Sequence, residues 1–275
     1  AYVPGIGGGM RSPATVNSMQ TVLENGWAVF CFDPVPTKDV KNGPFDFKAD
    51  TRHLSPHTYI QTIHAALHHL EDHHKDEVDM DKLSLHCSSL GAYCGGWYAA
   101  HANGLADQHR VLKEKPYALK GVVFQSPVLN PLGVAEKIVD NPILQSIWRN
   151  AEYVPWFIGG ELLKVSYNVY KESRGVDFNR DIAPHITAPV TIHFGKSDPL
   201  EKVSTICAFK ENLSQSPEVE LHLYEDAGHG MEDRNLLKTL PEKMLAASLD
   251  GRNIFRTRSG REMHYMIKNF LDVTH

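Results

Sequence analysis

Leu83-Ser84-Leu85-His86-Cys87-Ser88-Ser89-Leu90-Gly91-Ala92-Tyr93-Cys94-Gly95-Gly96 is the stretch that decides the fold. Residues 83–87 read as a short strand and residues 90–101 as a helix, and the chain passes from one to the other through a serine. A nucleophilic serine on so sharp a turn needs small residues two places before and two places after it, because larger side chains would strike the adjoining strand and helix. Ser89 has Cys87 and Gly91 there, whereas Ser88 would have His86 and Leu90, so Ser89 is the candidate nucleophile. Working outward, short apolar or β-branched runs at 1–3, 28–32, 121–125, 190–194 and 219–224 alternate with helical patterns at 16–24, 58–74, 201–212 and 235–249. That alternation predicts an α/β fold, a mostly parallel sheet flanked by helices. One long stretch, 127–188, interrupts it.

The composition agrees with a globular chain and excludes several others. The 275 residues are 42% apolar and 22% charged, enough to bury a full core. No run approaches the roughly 18 consecutive apolar residues of a spanning helix, and the start has neither the basic end nor the apolar stretch of a signal peptide. The net charge of −5 offers no basic field for phosphates, so nucleic acid is not an expected partner. Cys31, Cys87, Cys94 and Cys207 form no CxxC pair and are expected to be free, buried thiols. A cytoplasmic location fits these features. The start on Ala1-Tyr2-Val3-Pro4-Gly5 without Met also fits a module of a larger polypeptide.

Two later segments bear on Ser89, because a serine is a poor nucleophile until a histidine takes its proton and an acid orients that histidine. The run at 190–194 is followed by Gly195-Lys196-Ser197-Asp198-Pro199-Leu200, and that at 219–224 by Glu225-Asp226-Ala227-Gly228-His229-Gly230. Asp198 and His229 thus join Ser89 at the carboxyl ends of predicted parallel strands, the edge where open α/β sheets build their sites. Taken singly, Ser89 reads equally as a helix cap, Asp198 as a turn residue and His229 as one of sixteen histidines. Asp33 precedes the serine, Glu225 and Asp226 lie too close to His229 in sequence to face its ring, and Ser126-Pro127 offers no acid after the run at 121–125.

With these residues in view, the chain resembles the α/β-hydrolase superfamily over about residues 1–245. Cys87-Ser88-Ser89-Leu90-Gly91 is similar to its G-x-S-x-G nucleophile elbow, with Cys87 in place of the first glycine. The loops at 195–200 and 225–230 resemble its acid and histidine loops, in the superfamily's order of serine, acid, histidine. Pro4-Gly5-Ile6-Gly7-Gly8-Gly9 resembles its H-G-x-G oxyanion segment, with Pro4 in place of the histidine. The resemblance implies a serine hydrolase of carboxylic esters with Ser89, His229 and Asp198 as triad and the amides of Ile6 and Leu90 as oxyanion hole. It implies no cofactor, and activity that rises as His229 becomes neutral. It also implies a sheet that is short at its N-terminal side, since two strands usually precede the oxyanion loop.

On this reading residues 1–126 and 189–275 form the hydrolase core and 127–188 an inserted helical cap. The cap is rich in aromatic and leucine residues. Trp148, Trp156 and Phe157 are candidates to line a site for an acyl chain, although packing onto the sheet is the ordinary role of such rings. The expected partner is a small-molecule or lipid ester, as for a lipase, phospholipase or esterase; a thioesterase, a peptidase or a non-enzymatic binding module of the same fold is the alternative. The glycine run lacks the third glycine of a dinucleotide loop, where Met10 stands, and the Gly-Lys-Ser/Thr of a P-loop. His64/His68 and His69/His73 have the i,i+4 spacing of metal pairs, but no third ligand and no HExxH accompany them, so no metal is expected. Arg252, Arg256, Arg258 and Arg261 near the end are a minor lead to transient membrane-surface contact, against the more ordinary solvated face.

Overall fold

The computed structural model describes residues 1–5, 22–24, 26–32, 54–134, 141–158 and 161–230. In chain order the principal elements are β1 (Tyr2–Val3), α1 (Pro56–His74), β2 (Ser84–Ser88), α2 (Leu90–Ala100), β3 (Gly121–Gln125), α3 (Pro142–Ala151), β4 (Tyr153–Ile158), β5 (Glu161–Ser166), α4 (Tyr167–Ser173), β6 (Val190–Gly195), α5 (Val203–Asn212) and β7 (Val219–Tyr224). The main sheet runs β1-β2-β3-β6-β7 with every neighbouring pair parallel. Parallel strands covered on both faces need continuous apolar sequence. Accordingly every residue of β3 and β6 is buried, while edge strand β7 is not.

The register sets Ser88 opposite Gln125, Gln125 opposite His193 and Gly195 opposite Tyr224, so β2 and β3 end level with each other and β6 and β7 end together two residues further on. The core lies between this sheet and its helices. Helix α2 is buried along its whole length, and Leu85, Phe124, Ile192, Phe194 and Phe209 join it in one apolar cluster. Helix α1 starts where its sequence says it should. The Ser55 hydroxyl accepts from the Thr58 amide at 3.1 Å, the Thr58 hydroxyl accepts from the Ser55 amide at 2.9 Å, and Pro56 occupies the first turn, where its missing N–H costs nothing.

Three expectations change. The strand expected at 28–32 is reduced to one parallel bridge, Tyr2 to Cys31, because β1 is only two residues long and presents little edge to pair with. The insert between β3 and β6, expected to be helical, contains an antiparallel β4–β5 hairpin beside α3 and α4. Its sequence accounts for much of this: Tyr153-Val154-Pro155-Trp156-Phe157-Ile158, rich in β-branched and aromatic residues, leads into Gly159-Gly160, and Pro155 is tolerated because a two-stranded ribbon is all edge. The thiols are free as expected, but only Cys87 and Cys94 are buried; Cys31 and Cys207 are partly exposed.

The insert packs in two ways. Trp148, Val165 and Tyr170 make a small core of their own, whereas Phe178, Ile182, Ala183 and Ile186, on the chain's return to β6, belong to the main core. The expected helix at 235–249 and the arginine-bearing tail lie outside the described residues, as does most of 16–24. Among the described residues no helix is long and apolar enough to cross a membrane.

Candidate active site

The turn between β2 and α2 bends as the sequence requires. Ser89 adopts φ 54° and ψ −123°, a left-handed backbone that costs an L-residue energy and is held only where its surroundings fix it. They do so here. The Ser89 amide donates to the Gln125 carbonyl at 3.1 Å, and the Ser89 carbonyl accepts from the amides of Ala92 at 3.0 Å and Val128 at 3.2 Å. The small neighbours are needed for contact. A Cβ on Gly91 would lie 2.2 Å from the Pro4 carbonyl oxygen, and one on Gly5 would lie 2.5 Å from the Ser89 Cβ. The start of α2 therefore rests directly on the end of β1 and the loop that follows it.

Cys87 occupies the place of the turn's first small residue, and Gly95, two turns into α2, makes room for it. A Cβ on Gly95 would stand 2.3 Å from the Cys87 sulfur. Burial pushes the Cys87 thiol well above its ordinary range, so it is no rival nucleophile to Ser89.

Asp198 and His229 arrive from the next two strands. Gly195 ends β6 without a side chain, and the histidine loop crosses it so closely that a Cβ there would lie 2.1 Å from the Ala227 carbonyl oxygen. The Ser197 amide donates to that same carbonyl at 3.1 Å, tying the two loops together. The Asp198 side chain is fully buried, with Oδ1 accepting from the Leu200 amide at 2.8 Å and Oδ2 lying 2.8 Å from His229 Nδ1. The other ring nitrogen, Nε2, lies 2.9 Å from Ser89 Oγ. A carboxylate oxygen beside Nδ1 accepts from the N–H of that nitrogen and leaves Nε2 a lone pair facing the serine hydroxyl. Ser89 and His229 are partly exposed while the acid is closed off, so reagents reach the serine but water does not compete for the carboxylate.

Leu90 is the first residue of α2, so its N–H is one of those that no earlier turn of the helix can use, and it lies at the positive end of the helix dipole. Ile6, the other residue expected in an oxyanion hole, lies outside the described residues. Pro4 and Gly5, just before it, are in contact with the serine turn.

Two buried residues hold this region and have no motif in the sequence. Tyr59, on α1, is fully buried and donates its hydroxyl proton to the Pro4 carbonyl. Glu201, three residues after the acid, accepts from the Leu129 amide at 3.0 Å and the Asn130 amide at 2.8 Å, fastening the loop after β3 to the acid loop. Burial raises the Glu201 carboxyl above its ordinary value. An apolar helix face interrupted by one polar tip marks Tyr59; no signal in the sequence marks Glu201.

The structure does not bring Trp148 to the triad as a free surface. It is fully buried in the cap's own core, donates its indole N–H to the Val165 carbonyl at 2.9 Å, and packs against Tyr167 and Tyr170. Trp156 and Phe157 lie on β4, with side chains outside those described. Ile143 and Ile147, one turn apart on α3, are 72% and 52% exposed.

No known family model matches the chain, and no curated protein matches it in sequence. Solved structures do. Est1E from Butyrivibrio proteoclasticus with ferulic acid bound superposes at a TM-score of 0.64 and 15% identity, over 90% of this chain and 87% of that one. Alpha/beta hydrolase domain-containing protein 10 from mouse gives 0.59 and 16%, over 88% and 86%. One of LipS and LipT, two metagenome-derived lipolytic enzymes, gives 0.62 and 15%, over 90% and 91%. At such identities the likeness is one of fold.

Proposed function

The chain has the α/β-hydrolase fold, and from that premise we propose that it is a serine hydrolase of carboxylic esters. The observation that carries the reading is the unbroken relay from Ser89 Oγ through His229 to Asp198, with links of 2.9 and 2.8 Å. The esterase and lipolytic neighbours, similar in fold, support it.

In this mechanism Ser89 Oγ attacks the ester carbonyl carbon as His229 Nε2 takes the hydroxyl proton, and Asp198 stabilises the imidazolium that results. The carbonyl π pair moves onto oxygen, where the Leu90 amide and, from the loop after Gly5, the Ile6 amide receive it. Collapse of the tetrahedral adduct breaks the bond to the alcohol oxygen. His229 gives that oxygen its proton, and an acyl-serine remains. Water then repeats the attack, with His229 as base and then as acid, releasing the carboxylic acid and restoring Ser89. No cofactor enters these steps.

The substrate is read as a lipid or other acyl ester. Ile143 and Ile147 on the cap leave apolar surface uncovered, which suits an acyl chain better than a charged peptide. The test is hydrolysis of p-nitrophenyl esters from acetate to palmitate by the wild type and by Ser89→Ala. Turnover that Ser89→Ala abolishes and that favours long chains is the expected result. A preference for acetate would replace the lipid reading with a small-ester one. No turnover of any ester by folded protein would overturn the proposal in favour of a binding module.

A further inference from the structure

On α1, His64 and His68 stand one turn apart, and the fold adds to them what the sequence did not show. Glu114, from the segment leading to β3, brings its Oε2 to 3.5 Å from His64 Nε2 and 3.4 Å from His68 Nε2, and the two nitrogens are 3.2 Å apart. These three atoms form a nearly equilateral triangle. Donors bound at about 2.0–2.1 Å around a tetrahedral ion stand about 3.3 Å from one another. The triangle has the dimensions of one face of such a tetrahedron, with the fourth position left for water.

The surroundings prepare one ligand for this role. Tyr117 donates its single hydroxyl proton to Glu71 Oε2 at 2.5 Å, and its oxygen lies 2.9 Å from His68 Nδ1. With that proton committed, His68 Nδ1 must be the donor to the tyrosine oxygen, and Nε2 carries a lone pair toward the triangle's centre. A carboxylate fixing the tautomer of a ligating histidine through a hydrogen-bonded partner is the usual outer shell of a metal site. His64 is largely buried, so this corner of the triangle is fixed in place, while Glu114 is exposed and free to close on an ion.

We propose that His64, His68 and Glu114 form a zinc-binding site that clamps helix α1 to the segment leading into β3. Two imidazoles and one carboxylate suit Zn2+ and exclude Ca2+ and Mg2+, which take oxygen cages. Without metal, one of the two facing Nε2 atoms must carry a proton for the other to accept, and with His68 Nε2 bare that proton is on His64. On binding that proton moves to His64 Nδ1, which leaves the lone pair of Nε2 for the ion. The clamp bears on the active site only indirectly, through the same helix that holds Tyr59 against Pro4.

The experiment uses the full chain without a polyhistidine tag, stripped with a chelator and titrated with ZnCl2 by calorimetry. Glu114→Gln, His68→Ala, Tyr117→Phe and the double variant His69→Ala/His73→Ala are titrated alongside. One tight Zn2+ per chain is expected in the wild type and in the His69/His73 variant. Affinity should fall about 10–100-fold in Tyr117→Phe, as for other outer-shell losses, by at least as much in Glu114→Gln, and beyond detection in His68→Ala. Glu114 is exposed, so Glu114→Gln keeps the fold even if a histidine variant does not. Co2+ in place of Zn2+ should give the intense visible bands of a four-coordinate ion, lost with Glu114→Gln. Absence of tight binding in the wild type, binding indifferent to Glu114→Gln and His68→Ala, or binding lost with His69 and His73 would each overturn the site.

Discussion

Helices α2 and α3 have nearly the same length, 11 and 10 residues, and both are largely apolar on the faces they pack, yet the fold uses them in opposite ways. Every residue of α2 is buried, and its glycines let neighbours come to atomic contact: the β1 end at Gly91, the Cys87 sulfur at Gly95, and the rings of Phe178 and Phe124 at Gly96. Helix α3 buries Trp148 and leaves Ile143 and Ile147 in water. A helix locked on all sides holds the serine turn and the Leu90 amide in fixed positions, as a preorganised site requires. A helix with uncovered apolar surface has something left to offer a substrate. On the proposed function, chemistry sits on the rigid side of the molecule and recognition on the half-packed side.

The comparison breaks most sharply at Ser89. Ser89→Ala is expected to lower kcat by about 10^6-fold, as when a triad acts as a unit, while the unfolding transition in urea stays near that of the wild type. Trp148→Ala should do the reverse. It opens a cavity in the cap, leaves the Val165 carbonyl without its donor, and costs about 3–5 kcal/mol of local stability. Hydrogen exchange over 142–173 should accelerate while turnover of p-nitrophenyl acetate persists. Equal loss of acetate turnover in the two variants would show that cap and core are not separable in this way.

How much of this was legible in the sequence follows the same division. Residues 121–125 and 219–224 read as strands at the bounds the structure gives, because a buried or half-buried parallel strand is a short apolar run between turn residues. Ser89, Asp198 and His229, which the structure brings together, stand out in the sequence because each follows a strand in a loop with small residues, and glycines 5, 91 and 195 prove to be where backbones touch. The hairpin in the cap is harder to read, because its aromatic residues suit a helix or a strand and only Gly159-Gly160 signals the turn. Tyr59, marked only as a polar tip on an apolar helix face, and Glu201 and Glu114, marked by nothing, hide their roles for a different reason. Each acts on a partner distant along the chain, and no local pattern encodes a contact that only the fold creates.

A smaller effect sharpens the account of the serine turn. Cys87 and Gly95 are a matched pair, one side chain filling the room the other lacks. Gly95→Ala should gain about 1 kcal/mol of helix propensity and lose more than that to overpacking, about 1–3 kcal/mol. The net sign is destabilising in urea unfolding. Cys87→Gly alone should also destabilise, by removing a buried side chain. Combined, the two changes should cost less than their sum, because the new methyl occupies the space the thiol has left. Strict additivity would mean that α2 shifts to accommodate the methyl, and that it is less rigid than its burial implies.

The smallest expected effect is the pH dependence contributed by Glu201, a buried carboxylate that joins the loop after β3 to the acid loop. Its folded value is raised, chiefly by burial, so the native chain holds the proton to a higher pH than the unfolded chain does. Where the native state binds more protons, stability falls as pH rises. The contribution of the protonated group is therefore fully present below the ordinary carboxyl value and is lost as pH rises through the folded one. Glu201→Gln keeps an oxygen for the Leu129 and Asn130 amides but cannot ionise. Relative to the wild type, the variant should gain stability across that window and hold a constant difference above it, as read from urea unfolding at a series of pH values. Glu201→Ala gives the contrast, since two amides lose their acceptor at about 1–3 kcal/mol each at every pH. A Glu201→Gln difference that does not change with pH would show that the carboxyl ionises as freely in the fold as in the unfolded chain, and that the acid loop rests on water there and not on a buried charge.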